Sequence, residues 1–362
     1  MRAVVYSAVG GPLVVSDIPP PSCPPDGAVV DVRATGVCRS DWHAWRGHEP
    51  VPLPHVPGHE FAGVVAAVGA DVRGFAVGDR VTSPFVNGCG RCEWCRSGQA
   101  QVCPDQTQPG FTGAGSFAEQ VAVRAADLNL VRLPDEIDFL SAAALGCRFA
   151  TAFRAVVAHG RVAAGQWVAV FGCGGVGLSA VMIAAALGAR VIAVDPSPAA
   201  RELAAALGAE EAVEPSAPSL GGAVIPHGAQ SGASARATLR GGAHVAIDAL
   251  GSAATADASI RSLRRRGRHV QVGLMLGDDA RAPLPWEVVI ARELEIYGSH
   301  GMAAADYRPM LEMVADGRLR PRLLVGAVIP LAEAGRALMA MDEPIARQAG
   351  ITVATNGTPL EE

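Results

Sequence analysis

Residues 38–43 read Cys-Arg-Ser-Asp-Trp-His, and residues 58–60 read Gly-His-Glu. A Cys38 thiolate and a His59 imidazole are donor types that a borderline-soft divalent ion such as zinc prefers. Ser40 and His43 add a hydroxyl and an imidazole that could pass a proton. Two ligands do not make a site, because a lone buried cysteine or histidine is usually an ordinary core residue. A third ligand has to come from elsewhere in the chain.

A second cluster is more explicit. Cys89, Cys92, Cys95 and Cys103 follow the spacing C-x2-C-x2-C-x7-C. Four thiolates on so short a loop can close a tetrahedron around zinc and leave no open position, which describes a structural site. An iron–sulfur cluster or a zinc ribbon contacting nucleic acid are the alternatives. Only Arg91 and Arg96 are basic within the lobe and the chain's net charge is −5, which disfavours nucleic acid and anionic membrane as partners. Crowded cysteines at two-residue gaps point to metal in a reducing, cytoplasmic setting, not to a disulfide framework.

A third stretch could hold a nucleotide. Phe171 is followed by Gly172-Cys173-Gly174-Gly175-Val176-Gly177, a G-x-G-x-x-G pattern between an apolar β-rich run and an Ala-rich helical run. Such glycines permit a tight turn and let a pyrophosphate approach the backbone and the helix N-terminus. Asp195 closes the next β-rich run, where a carboxylate can accept hydrogen bonds from an adenosine ribose. The same carboxylate would repel a 2′-phosphate, which favours NAD over NADP.

The elements that must position these groups fall into two textures. At 362 residues the chain exceeds one ordinary core. Residues 1–135 are rich in Val, Gly and Pro and read as short strands joined by turns. Residues 141–159 read as helical, interrupted at Gly146-Cys147. From Val168, strands alternate with helices: strands at 168–171, 190–194, 243–248 and 269–272, and helices at 176–187, 199–207 and near 256–264. That alternation predicts a parallel sheet with helices on both faces. The Arg264–Arg266 run reads as the surface end of a helix. Residues 214–240 are rich in Pro, Ser, Gly and Ala and read as a surface loop. A helix near 304–315, another at 331–341 and a strand at 351–354 read as a return to the first domain. Residues 167–189 carry no charge and are long enough to cross a membrane. The glycine break inside them makes a buried strand–turn–helix the better reading, and the N-terminus shows no secretory signal.

Taken together, these stretches resemble the zinc-dependent alcohol dehydrogenases of the medium-chain dehydrogenase/reductase superfamily. Gly58-His59-Glu60-x2-Gly63-x5-Gly69, Val77-Gly78-Asp79-Arg80-Val81, the four-cysteine lobe and the glycine loop all match, over nearly the whole chain. The resemblance implies an α/β protein with a GroES-like β-rich catalytic domain (1–148, with its zinc lobe at 88–104), a Rossmann doubly wound cofactor domain (149–298) and a return to the catalytic domain (299–362).

The resemblance also supplies what the residues alone leave open. Cys147, before Phe149-Ala150-Thr151-Ala152, matches the family's third ligand to the catalytic zinc, beside Cys38 and His59. Asp41 matches the residue that holds the zinc-bound imidazole, and Glu60 an acid able to approach the metal during ligand exchange. Arg39 matches a pyrophosphate-binding position; Thr151 and Val176 match positions against the nicotinamide. Phe85 and Leu274 match walls of the substrate pocket.

The implied activity is reversible hydride transfer between a primary or secondary alcohol and NAD, giving an aldehyde or ketone. The proton would leave through Ser40, a ribose hydroxyl and His43, with His43 titrating near neutrality. Two zinc ions per subunit and a homotetramer follow by analogy, and the apolar walls favour a medium-sized apolar alcohol. A polyol dehydrogenase of the same superfamily is the runner-up, although such enzymes often carry a carboxylate at the Cys147 position. A non-enzymatic zinc-binding interaction protein would have no use for the Ser40 and His43 relay.

Overall fold

The computed structural model describes residues 1–215, 241–343 and 350–357. The chain divides into two compact units, Met1–Ala150 with Gly301–Glu362, and Thr151–His300.

The first unit is built on a seven-stranded sheet. Its path runs Val325–Pro330, Ile351–Thr355, Ala28–Val37, Glu60–Val68, Arg80–Thr82 and Val131–Arg132, and Gln120–Val123 also pairs with Ala28–Val37. All the pairings are antiparallel except that of Val325–Pro330 with Ile351–Thr355. Ala28–Val37 has partners on both sides and buries nearly every residue, which its run of Ala, Val, Thr and Gly allows. Val30, Val32, Phe61, Val65, Val81 and Val121 make one core cluster on this sheet. Register brings the chemistry together: Gly36 pairs with Glu60 and Thr35 with Phe61. Cys38 therefore leaves one strand where His59 enters its antiparallel neighbour.

The second unit is a six-stranded parallel sheet in the order Glu211–Val213, Arg190–Val194, Trp167–Phe171, Ala243–Asp248, Leu263–Gln271, Glu295–Gly298. In chain order this is 3-2-1-4-5-6, the doubly wound arrangement whose switch point lies beside the first strand. Trp167–Phe171 is apolar throughout because helices cover both faces of such a sheet. The run that could be mistaken for a membrane span is this strand followed by the helix Gly175–Ala186. Among the described residues, no helix is long and apolar enough to cross a membrane.

Two local expectations change. The Gly146-Cys147 interruption is a π-helical turn, Leu145–Phe149, that continues the helix Phe139–Ala143 into Ala150–Arg154. π turns keep the chain helical while rotating one residue out of phase, and they recur at functional sites. Arg264–Arg266 is not a helix end. The helix runs Ala253–Arg261, started by a Ser252–Thr255 capping box, and the arginines belong to the strand Leu263–Gln271. The ladder pairs Ala243 with Leu263 but Val245 with Arg268, so residues 264–267 bulge outward and Arg266 takes φ +61°. The stretch 214–240 falls outside the described residues from 216 onward.

Candidate metal centres and nucleotide loop

Cys38 is the N-cap of the short helix Arg39–Trp45, and Asp41 lies fully buried in its first turn. One carboxylate organises the segment. Asp41 Oδ2 accepts from the Cys38 backbone N–H at 3.3 Å, and its Oδ1 accepts from the Gly58 N–H and from His59 Nδ1, each at 2.9 Å. A carboxylate only accepts, so the proton sits on His59 Nδ1 and the lone pair on Nε2. That Nε2 is buried and has no hydrogen-bond partner, which leaves a cost of about 1–3 kcal/mol for a neutral group. A metal ion would remove that cost.

The π turn presents Cys147 to the same place, and the buried Tyr307 hydroxyl steadies it by donating to Gly146 O at 3.2 Å. The donor atoms of Cys38, His59 and Cys147 lie within 4.8 Å of one another. Two thiolates and a neutral imidazole suit zinc and leave a fourth tetrahedral position for another ligand. Hydrogen bonding from Cys147, and then the charge of Arg148, hold the Cys38 thiol well below its ordinary range despite burial; the same hydrogen bond to Cys38, with burial, pushes Cys147 well up, against the charge of Arg148. Phe85 and Phe111 flank His59, with ring centroids 6.1 and 5.1 Å from the imidazole.

Ser40 Oγ lies 3.8 Å from Cys38 Sγ. The expectation that His43 titrates near neutrality does not hold. Burial, then the charges of His48 and Arg39, push it down to about 4. Nor does His43 stand alone at the surface: its Nδ1 faces Nδ1 of the exposed His48 at 2.9 Å, and the Trp42 indole meets both rings edge-on. Arg39 donates to Met341 O at 3.0 Å, with its guanidinium 4.5 Å from the Trp42 ring centroid.

Sequence reading missed Arg148. Its side chain lies against Glu60, and the pair is buried. The available signal was a single charged residue inside the otherwise uncharged stretch 139–153, directly after a candidate ligand. Phe111 was missed as well, because nothing local distinguishes one loop aromatic from another.

The four cysteines of the lobe also converge, with all sulfurs within 4.8 Å of one another. Cys92 caps the short helix Glu93–Arg96 and accepts from the Cys95 N–H at 3.4 Å; Cys103 accepts from the Cys89 N–H at 3.4 Å. The Arg91 backbone N–H holds the Cys89 thiol down to about 6, the direction a thiolate ligand needs, whereas burial pushes Cys95 up and Cys103 up to about 12. Asn129 clamps the base of the lobe, accepting from Gly88 N at 2.8 Å and donating to Gly88 O at 2.9 Å.

In the second unit, Gly172 (φ +88°) makes the turn after Phe171, and Gly174 caps the helix Gly175–Ala186. A Cβ at Gly177 would fall 1.7 Å from Gly172 O, so only glycine fits there. A Cβ at Gly174 would point into open space, leaving room for a pyrophosphate against the backbone. Val176 is partly exposed in the first turn of that helix, and Asp195 follows the strand Arg190–Val194 and bonds to the loop at Cys173 N. Thr151 belongs to this unit and keeps a buried hydroxyl without a partner. Leu274, also in this unit, is 49% exposed.

Comparison with known proteins bears on the same regions. Residues 24–135 match the family described as alcohol dehydrogenase GroES-like domain, and residues 175–316 the family described as zinc-binding dehydrogenase. An alcohol dehydrogenase of Geobacillus stearothermophilus is 34% identical over 323 residues, covering 88% of this chain and 90% of its own. A solved NAD-dependent alcohol dehydrogenase aligns with TM-score 0.85 at 34% identity, over 99% of this chain and 100% of its own. A zinc-binding dehydrogenase from Sinorhizobium meliloti, solved with NADP, aligns with TM-score 0.85 at 29% identity, over 98% of each chain.

Proposed function

The chain belongs to the zinc-dependent alcohol dehydrogenases of the medium-chain dehydrogenase/reductase superfamily, and on that premise we propose how its own residues divide the work. Cys38, His59 and Cys147 hold the catalytic zinc, and Cys89, Cys92, Cys95 and Cys103 hold a second, structural one. Zinc, when bound, supplies a Lewis acid that lowers the pKa of an alcohol hydroxyl towards neutrality. NAD, when bound, takes the hydride as the alcohol becomes an aldehyde or ketone.

The chain does the rest. Asp41 fixes the tautomer and plane of His59 through the 2.9 Å bond to Nδ1. Ser40 Oγ receives the hydroxyl proton. His43 and the exposed His48 complete the exit to water, with His43 neutral and ready to accept at working pH. In the second unit the glycine loop and Arg190–Val194 present backbone N–H groups and Asp195 to the dinucleotide, and Thr151 and Val176 lie against its nicotinamide. Arg39 serves the pyrophosphate. Asp195 makes NAD preferred over NADP, and Phe85 favours apolar alcohols of medium size. A homotetramer in the cytoplasm, by analogy with the family, completes the reading.

The single observation that carries the metal assignment is the orphaned, buried His59 Nε2 beside two thiols. The test combines metal analysis with absorbance at 340 nm for a panel of alcohols, each with NAD and with NADP. Two zinc ions per chain and NAD reduction by apolar alcohols are expected. Fully active protein with one zinc would remove the assignment.

A further inference from the structure

Two of the proposed zinc ligands have a chain neighbour bonded to the side chain of Arg148, and Arg148 is itself the chain neighbour of the third. Beside Cys38, the Val37 carbonyl accepts from Arg148 Nη1 at 3.2 Å. Beside His59, Glu60 Oε1 accepts from Arg148 Nε at 3.0 Å, and Glu60 Oε2 accepts from Nη2. Arg148 itself follows Cys147, and its backbone N–H also donates to Glu60 Oε1 at 2.9 Å. The three ligand segments are 88 and 111 residues apart along the chain from this one residue, yet one guanidinium fork joins them. Building on the zinc assignment above, we infer that Arg148 is a positioning residue that holds Cys38, His59 and Cys147 in ligand geometry and slows loss of the metal.

The surroundings fit this role. Glu60 is fully buried and Arg148 is 8% exposed. A Cβ at Gly36 would fall 2.4 Å from Glu60 Oε2 and 2.8 Å from Arg148 Nη2, so the strand leaves room for this pair and for nothing larger. Burying an ion pair seldom gains net stability over an apolar isostere, so stability alone does not account for it. Pre-arranging three ligands does, because ligands fixed in advance need no ordering when the ion binds. The pair also cancels its own charge and leaves the two thiolates to balance the metal. Both Glu60 oxygens are held by Arg148, so the carboxylate cannot reach the metal unless this fork opens.

Lysine cannot substitute. It keeps the charge but offers a point donor that cannot bond to Val37 O and both Glu60 oxygens at once. The experiment takes the holoprotein and follows metal release to a chelator, with the four-cysteine metal as internal reference. It is repeated with cobalt in the catalytic site, whose ligand-field absorption reports ligand geometry. Arg148→Lys should release the catalytic-site metal about tenfold faster or more, with an altered cobalt spectrum and unchanged release from the lobe. The double variant Arg148→Met with Glu60→Gln leaves no buried unpaired charge and should show the same acceleration in folded protein. Unchanged release in both variants overturns the proposal. So does faster loss of both metals together, which would make Arg148 a general stabilising residue. Wild-type protein with metal in the lobe alone would overturn the ligand assignment itself, a different result from either.

Discussion

Asp195 Oδ2 accepts the backbone N–H of Cys173 at 2.7 Å, so the carboxylate read as the ribose partner also braces the glycine loop. Its Oδ1 accepts from Ser197 N at 2.8 Å. Each carboxylate oxygen has two lone pairs, which leaves acceptor capacity for ribose hydroxyls. Charge and bracing can be separated. Asp195→Asn keeps an acceptor for the Cys173 N–H and removes the charge, whereas Asp195→Gly removes both. The Asn variant should narrow the NAD:NADP ratio of kcat/KM by about 10- to 100-fold, on the scale of a few kcal/mol for a partly screened charge pair. The Gly variant should narrow it too but also weaken NAD. Equal use of both cofactors by wild type would remove Asp195 from discrimination.

The two proposed metal sites should fail differently. Cys38→Ser removes a ligand from a site with an open position, so turnover should drop by orders of magnitude while the chain stays folded with one zinc. Cys92→Ser breaks the closed four-thiolate site, whose binding energy is folding energy. It should lower Tm or disrupt assembly. Metal content and thermal unfolding of the two variants, measured together, give the comparison; the same phenotype in both would contradict the division of roles.

Much of this site was legible because its signals are local. The glycine loop, the four-cysteine lobe and the Gly58-His59-Glu60 stretch each state their chemistry within a few residues. The structure sets His59 Nε2, Cys38 and Cys147 side by side. What could not be read were features made by distant partners. The Arg148 fork depends on Val37 and Glu60. The π turn at Cys147 looks like a helix break in one dimension, because a glycine there lowers helix propensity without saying which way the chain turns. The arginines at 264–266 suggested a helix end, since three consecutive charges do not fit an interior strand; a bulge resolves the conflict by carrying them off the ladder. His43 was placed near neutrality from its residue type, and only its burial, with the charges of His48 and Arg39 packed near it, reveals the downward shift.

That shift changes the expected pH behaviour. With its pKa at about 4, His43 is neutral across the working range. His43→Ala should therefore slow alcohol oxidation by about 10- to 100-fold at every pH from about 5 to 9, without a selective loss below neutrality. Imidazole buffers should restore part of the rate. Stability carries a second signature. The folded pKa lies below the unfolded value of about 6.5, so the unfolded chain binds the proton more readily between the two. This contribution is fully present above about pH 6.5 and is lost as pH falls towards 4. His43→Ala should flatten that part of the acid decline in Tm. Parallel Tm curves for wild type and variant would show that His43 is not shifted.

The substrate should be larger than ethanol, and the case rests on the aromatic rings around His59. Phe85 and Phe111 stand 6.1 and 5.1 Å from the imidazole, so with zinc held as proposed an alcohol ligand would have aromatic surface near it. Burying a methylene against such surface is worth about 0.8 kcal/mol, or about fourfold in kcat/KM for each one. A sugar alcohol would instead press unpaired hydroxyls against the rings, at about 1–3 kcal/mol each. Ser40 sets the space next to the metal: its Oγ is 3.8 Å from Cys38 Sγ, and it lacks the methyl group that threonine would place there. Benzyl alcohol and cyclohexanol should therefore exceed ethanol in kcat/KM by one to two orders of magnitude. Ser40→Thr keeps the hydroxyl, so the proton path survives, but its methyl should cost ring substrates more than ethanol and reverse part of the preference. Phe85→Ala should weaken benzyl alcohol selectively, by about 1–3 kcal/mol, as the buried ring contact is lost. The comparison is kcat/KM over a series from ethanol to hexanol with benzyl alcohol, cyclohexanol and a hexitol, for wild type and both variants. A wild type that favours ethanol or the hexitol would show that the walls read here do not choose the substrate.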